Sequence, residues 1–110
     1  MMKIALPTEG PSLEDAVCSR FARAPYFLIV DVDTLQCDVV SNTSTQDVAA
    51  GLGLKAAWIV VNRHATMVIT GRMGGNAQRI LEEHDVKIVT GVSGISAREA
   101  VSQYRSGGSR

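Results

Sequence analysis

Residues 67–82 read MVITGRMGGNAQRILE, an apolar run that stops at a glycine, opens into three glycines within five residues around Arg72 and Met73, and resumes as a helical pattern. Two other glycine-bearing stretches stand before helical patterns: AAGLGLK, with Gly51 and Gly53, and GVSGIS, with Ser93 and Gly94. Each helix start offers unpaired backbone N–H groups and a partial positive charge, and glycine lets a ligand approach the backbone closely. The chemistry this favours is the binding of an anion. Arg72 lies inside the second stretch beside Gly74, Gly75 and Asn76, Arg98 falls in the first turn of the last helical pattern, and Arg20 and Arg23 lie in a long loop after the first strand. The stretch lacks both the Lys-Ser/Thr of a phosphate-binding P-loop and the GxGxxG spacing of a dinucleotide site. On the residues alone, glycines that only make tight strand-to-helix turns compete evenly with an anion site.

The remaining reactive side chains give weaker signals. Met73 offers copper or sulfide a soft contact, but methionine more often fills a gap. Cys18 stands two residues before Arg20, where a neighbouring cation would lower its pKa and make it a thiolate metal ligand; a small buried hydrophobe is the equal alternative. Cys37 falls on a strand and reads as structural, His64 and His84 as helix-boundary residues, and Trp58 as core. Glu9 is the only carboxylate expected near the glycine-rich loops, and it has no evident catalytic partner.

These residues need a scaffold. At 110 residues, 45% of them apolar, the chain is expected to form a single domain over residues 1–110 with a frayed tail from about residue 106. Eleven basic residues balance eleven acidic ones, so no global field draws the protein to nucleic acid or to a membrane. No apolar run is of membrane-spanning length and the first residues lack a signal-peptide pattern, so the expected location is cytoplasmic. KIALPT, YFLIVDVD and QCDVV read as three strands, the last two antiparallel across a tight turn. Ala49–Ala65 reads as a helix with Leu54, Ala57, Trp58 and Val61 on one stripe. MVIT, NAQRILEEHD, KIVTGV and SAREAVSQYR continue as strand, helix, strand and helix, the last with Ser96 and Glu99 spaced as a capping box. The order βββαβαβα implies an α/β fold with an antiparallel first half and a parallel second half. In such a sheet the loops leaving the carboxyl ends of the strands gather on one edge, where ligands bind.

SRFARAPYFLIVDVDT, GLGLKAA, ITGRMGGNAQRILEEHDVKIV and SAREAVSQYRSG together resemble the dinitrogenase iron-molybdenum cofactor biosynthesis family, which embraces NifX-like carriers, the NifB C-terminal domain and orange protein-like chains. The resemblance spans nearly the whole chain. It implies an RNase H-like three-layer fold with a five-stranded mixed sheet in the order 3-2-1-4-5. It also implies noncovalent carriage of an anionic metal-sulfur cluster, either molybdenum-copper-sulfide or an iron-molybdenum cofactor precursor, with a possible protein donor or acceptor as partner. Arg20-Phe21-Ala22-Arg23 stands where some relatives have His-Phe-Gly-Arg, and Ala50-Gly51-Leu52-Gly53 where many have His-Gly-x-Gly. Two imidazole ligands are therefore absent, which favours a cradle of arginines and N–H groups. Nucleases of that fold place carboxylates on the first and fourth strands to hold two cations. KIALPT and MVIT have none, so Asp31 and Asp33 read as the end of a strand and the start of a turn. The expected function is a noncatalytic cluster carrier; an enzyme or sensor acting on a small anionic metabolite is the alternative.

Overall fold

The computed structural model describes residues 2–41 and 52–107. In chain order the elements are β1 (Lys3–Thr8), β2 (Tyr26–Asp31), β3 (Cys37–Ser41), α1 (Leu52–Asn62), β4 (Met67–Ile69), α2 (Gly75–Glu83), β5 (Lys87–Val89) and α3 (Ala97–Gly107). They build one five-stranded sheet in the order β3-β2-β1-β4-β5, as the resemblance implies. β2 is antiparallel to both β1 and β3, whereas β4 is parallel to β1 and to β5. Two reversals return β3 to the direction of β1. The carboxyl ends of β1, β3, β4 and β5 therefore share one edge.

β1 and β2 are apolar at almost every position because the sheet is covered on both faces. Ala5, Phe27, Ile29 and Val68 pack with α1 and α2. Their neighbours Ile4, Leu6, Leu28, Val30, Met67 and Ile69 pack on the opposite face with Ala97, Ala100 and Val101 of α3. This strict alternation makes three layers out of an unbroken apolar run. Phe21, from the loop after β1, joins the first core edge-on to Phe27 at 5.2 Å between ring centroids.

The helices follow their patterns with one correction. α2 buries Ala77, Ile80 and Leu81, as its spacing requires. In α1 the buried positions among the described side chains are Ala56, Ala57 and Val60, while Trp58, expected in the core, is 44% exposed. Alanines carry this contact because small side chains let the helix lie close to the sheet. The indole is left on the outer flank, edge-on to His84 at 5.2 Å. Ala49–Gly51, expected to open this helix, lie outside the described residues. The helix stops at Asn62 rather than Ala65, and His64 adopts the left-handed conformation with φ 63°.

β2 ends at Asp31 rather than Asp33, because the Asp31 carboxylate accepts from Asp33 N at 2.9 Å and Thr34 N at 3.3 Å and turns the chain. The capping box forms as expected on its Ser96 side, with Glu99 N donating to Ser96 Oγ at 3.1 Å. α3 runs on to Gly107, so the first residues of the expected frayed tail are helical; residues 108–110 lie outside the described part. No helix among the described residues is long and apolar enough to cross a membrane.

The two helix residues distinguish core from flank experimentally. Leu81→Ala removes a fully buried side chain and should cost about 2–5 kcal/mol. Trp58→Ala should cost less than about 2 kcal/mol, since much of the indole is already in water. Urea unfolding followed by circular dichroism measures both, and a larger loss at Trp58 than at Leu81 would contradict this packing.

Candidate functional site

The loop after β1 is laid down by backbone hydrogen bonds. Cys18 N donates to Pro7 O at 2.8 Å and Val17 N to Ile95 O at 2.8 Å, fixing its middle against β1 and the chain before α3. Gly71 N then donates to Cys18 O at 3.2 Å, Arg72 N to Ser19 O at 2.8 Å, and Phe21 N to Arg72 O at 2.9 Å. These bonds make a short parallel bridge that pairs Arg20 with Arg72. The buried Phe21 ring anchors the far end of the segment.

Gly71 is what allows this crossing. A Cβ there would lie 2.5 Å from Ser19 O and 2.6 Å from Ser19 Cα, a clash with backbone that no rotamer relieves. Gly74 and Gly75 differ, since a Cβ on either would enter open space. The glycine run thus divides into one residue that packs chain on chain and two that leave the start of α2 uncovered.

Arg20 and Arg72, as register partners, project to the same side, and both are exposed. Arg98 is ion-paired with Glu14 at 2.6 Å, whereas neither Arg20 nor Arg72 has an ion-pair partner among the described residues. Like charges directly opposite each other are unfavourable unless something negative lies between them. A cleft of about 400 Å³ opens at this point, lined by Ser19, Arg20, Gly71, Arg72, Gly91 and Ser93. The next chain segment supports it: Gly91 N donates to Gly71 O at 2.7 Å and Val92 N to Thr70 O at 3.0 Å. Gly91 takes φ 81°, which glycine adopts without strain.

The three helix starts are not equivalent. At α2 the N-cap is Gly74, which offers no side-chain cap, and among the described residues no acceptor meets the N–H groups of Gly75 and Asn76. At α3 the donors are consumed by Ala97 N to Asp15 O (2.9 Å), Arg98 N to Leu13 O (2.8 Å) and the Ser96 cap. At α1, Gly53 lies in the first turn and Gly51 outside the described residues. Arg98, with its backbone and guanidinium both engaged, does not join the cleft. Neither does Arg23, which is exposed but absent from the lining.

The other expected contacts are redistributed. Met73 packs half-buried against the core between sheet, α1 and α2, so it fills a gap. Gly94, with φ 82°, has its N–H taken by Val17 O at 3.1 Å, leaving Ser93 as the member of that pair that reaches the cleft. Cys18 is buried and its pKa is pushed up to about 12, first by burial and then by a hydrogen bond to Glu9 and by that carboxylate's charge. The expected lowering by Arg20 is reversed, because burial of the thiol and the neighbouring Glu9 carboxylate both disfavour the thiolate. His84 Nδ1 lies 2.9 Å from Ile80 O at the end of α2. No group of three or more His, Cys, Asp or Glu side chains among the described residues is placed to hold a metal ion.

Ser19, Gly71 and Gly91 line the cleft without having been picked from the sequence. Ser19 and Gly71 adjoin the candidates Arg20 and Arg72, Gly91 lies two residues before Ser93, and the chain crossing brings them together. Thr70, also passed over, is fully buried just before Gly71, and its hydroxyl lacks a hydrogen-bond partner.

Two outcomes follow from this geometry. Gly71→Ala should destabilise the fold by more than about 2 kcal/mol through the backbone clash, whereas Gly74→Ala, at φ −75° and ψ 161°, should stay within about 0.5 kcal/mol of the parent; thermal melts compare them directly. Between about pH 9 and 12 the unfolded chain releases the Cys18 proton while the folded chain keeps it. Stability contributed below pH 9 is therefore lost as pH rises through this window, and Cys18→Ala should flatten that decline in denaturant melts.

Comparison with known proteins bears on the family and the fold. The profile of the family described as dinitrogenase iron-molybdenum cofactor matches residues 2–107. The apo form of the orange protein from Desulfovibrio gigas is 33% identical, with a TM-score of 0.92 over 97% of this chain and 89% of that one. A NifB-like protein from Thermotoga is also 33% identical, with a TM-score of 0.81 over 97% of this chain and 90% of that one. No curated protein matches.

Proposed function

We propose a carrier function on the premise that this chain belongs to the dinitrogenase iron-molybdenum cofactor family: it binds an anionic metal-sulfur cluster noncovalently at the cleft between Arg20 and Arg72. The observation that carries this reading is the pairing of two guanidinium groups on one side of a β-bridge with no ion-pair partner among the described residues. A cluster bearing negative charge compensates both cations at once. The uncovered N–H groups of Gly75 and Asn76 add donors and a favourable helix dipole at the same edge. The cargo is a molybdenum-copper-sulfide species or an iron-molybdenum cofactor precursor, and Gly53, Gly74 and Ser93 belong to its surroundings.

Coordination by protein side chains has little support. Cys18 keeps its proton, Met73 packs against the core, and the two histidines that relatives carry in the corresponding motifs are replaced by Arg20 and Ala50. The cluster is therefore held as a complete anion by its outer surface. An enzyme working on a small anion would need a positioned acid, base or nucleophile, and the cleft lining supplies N–H and O–H donors instead. Release to a partner protein then requires only competition for charge and donors, which suits a carrier.

The visible spectrum and metal content of anaerobically purified protein test whether a cluster is carried. Titration with tetrathiomolybdate and copper then tests where. Arg72→Ala should weaken binding roughly ten- to hundredfold, since a charged hydrogen bond to a desolvated anion is worth about 1.5–3 kcal/mol. Arg63→Ala, just beyond the far end of α1, should change little. Affinity should fall as salt rises; equal affinities for the two variants would remove Arg72 from the site.

A further inference from the structure

Nothing in the cleft lining is specific for sulfur. Its six residues present two guanidinium groups, two hydroxyls and two glycines, with no thiol, thioether, imidazole, carboxylate or apolar side chain. Arginine in a paired arrangement matches the planar, multi-acceptor surface of an oxyanion, and hydroxyls donate to oxygen readily. Soft ligands, by contrast, are what select copper or sulfide chemistry. They sit elsewhere: the Cys18 thiol is buried beside Glu9, and Met73 packs half-buried against the core, outside the lining.

The backbone bridge also sets a charge requirement. Adjacent extended segments run about 4.8 Å apart, so the two guanidinium groups rise side by side and share one ligand. A dianion neutralises both, whereas a monoanion leaves one positive charge facing another. The lining has no aromatic or apolar wall against which a nucleobase would stack. The ligand is thus a compact inorganic anion.

We infer that the Arg20–Arg72 cleft accepts tetrahedral oxyanions of charge two, the class of sulfate, hydrogen phosphate and molybdate, as ligands in their own right. This rests on the anion-site reading given above and extends it to a sulfur-free ligand class. Such oxyanions compete with cluster cargo for the same two cations. Charge, not sulfide, is the property that the site selects.

Sulfate and perchlorate separate charge from shape, because both are tetrahedral and they differ by one unit of charge. Calorimetric titration of the full chain at constant ionic strength should show sulfate and hydrogen phosphate binding at least tenfold more tightly than perchlorate. Both dianions should displace tetrathiomolybdate. Arg20→Gln and Arg72→Gln should each abolish the preference, and Arg63→Ala should keep it; circular dichroism of each variant verifies that the fold is intact. If tetrathiomolybdate binds in an Arg72-dependent manner but sulfate and phosphate neither bind nor compete, this inference is overturned while the carrier reading stands. If perchlorate binds as tightly as sulfate, the charge requirement is wrong. If no anion binds at all, both readings fall together.

Discussion

The structure of the candidate site depends on one close crossing of backbone, the passage of Ser19 over Gly71. Three hydrogen bonds tie the crossing: Gly71 N to Cys18 O, Arg72 N to Ser19 O and Phe21 N to Arg72 O. They convert a long connection into an additional extended segment at the carboxyl edge of the sheet. A side chain at residue 71 would push the segments apart. Without that contact Arg20 would belong to a surface loop, and Arg72 would stand alone.

The crossing stores an electrostatic conflict. Two guanidinium groups are held on one side of a bridge whose formation is driven by backbone bonding and by burial of Phe21 next to Phe27. Repulsion between them is moderated by solvent while the cleft is open. On the proposed reading, an anion that enters turns the repulsion into two attractions.

Burial decides the roles of the sulfur atoms. Cys18 lies two residues before Arg20, yet it is buried while Arg20 is exposed, and its thiol meets Glu9. Met73 follows Arg72 but packs with the helices of the first core. Hard N–H and O–H donors therefore line the cleft, and neither sulfur is part of its lining. This segregation is what the proposed anion ligand rests on.

Much of the scaffold is determined by the sequence itself. Apolar runs bounded by glycine, proline and aspartate mark the strands, the spacing of Ala77, Ile80 and Leu81 marks α2, and Ser96 with Glu99 marks the start of α3; each of these is a local property of backbone sterics and burial. The glycine stretch around Arg72, too, is visible as a place where backbone opens before a helix. Tertiary structure alone decides which cations meet. Arg20 and Arg72 are 52 positions apart, and their pairing exists only because the loop after β1 crosses β4's exit at a glycine. It likewise decides that the start of α3 is closed by Asp15 and Leu13 carbonyls while that of α2 stays open, since those acceptors come from a segment more than eighty residues away in sequence. Trp58 shows the same limit in the core. Periodicity locates a helix and its apolar arc, but the side of that arc that touches the sheet is chosen by how closely two alanines can approach it.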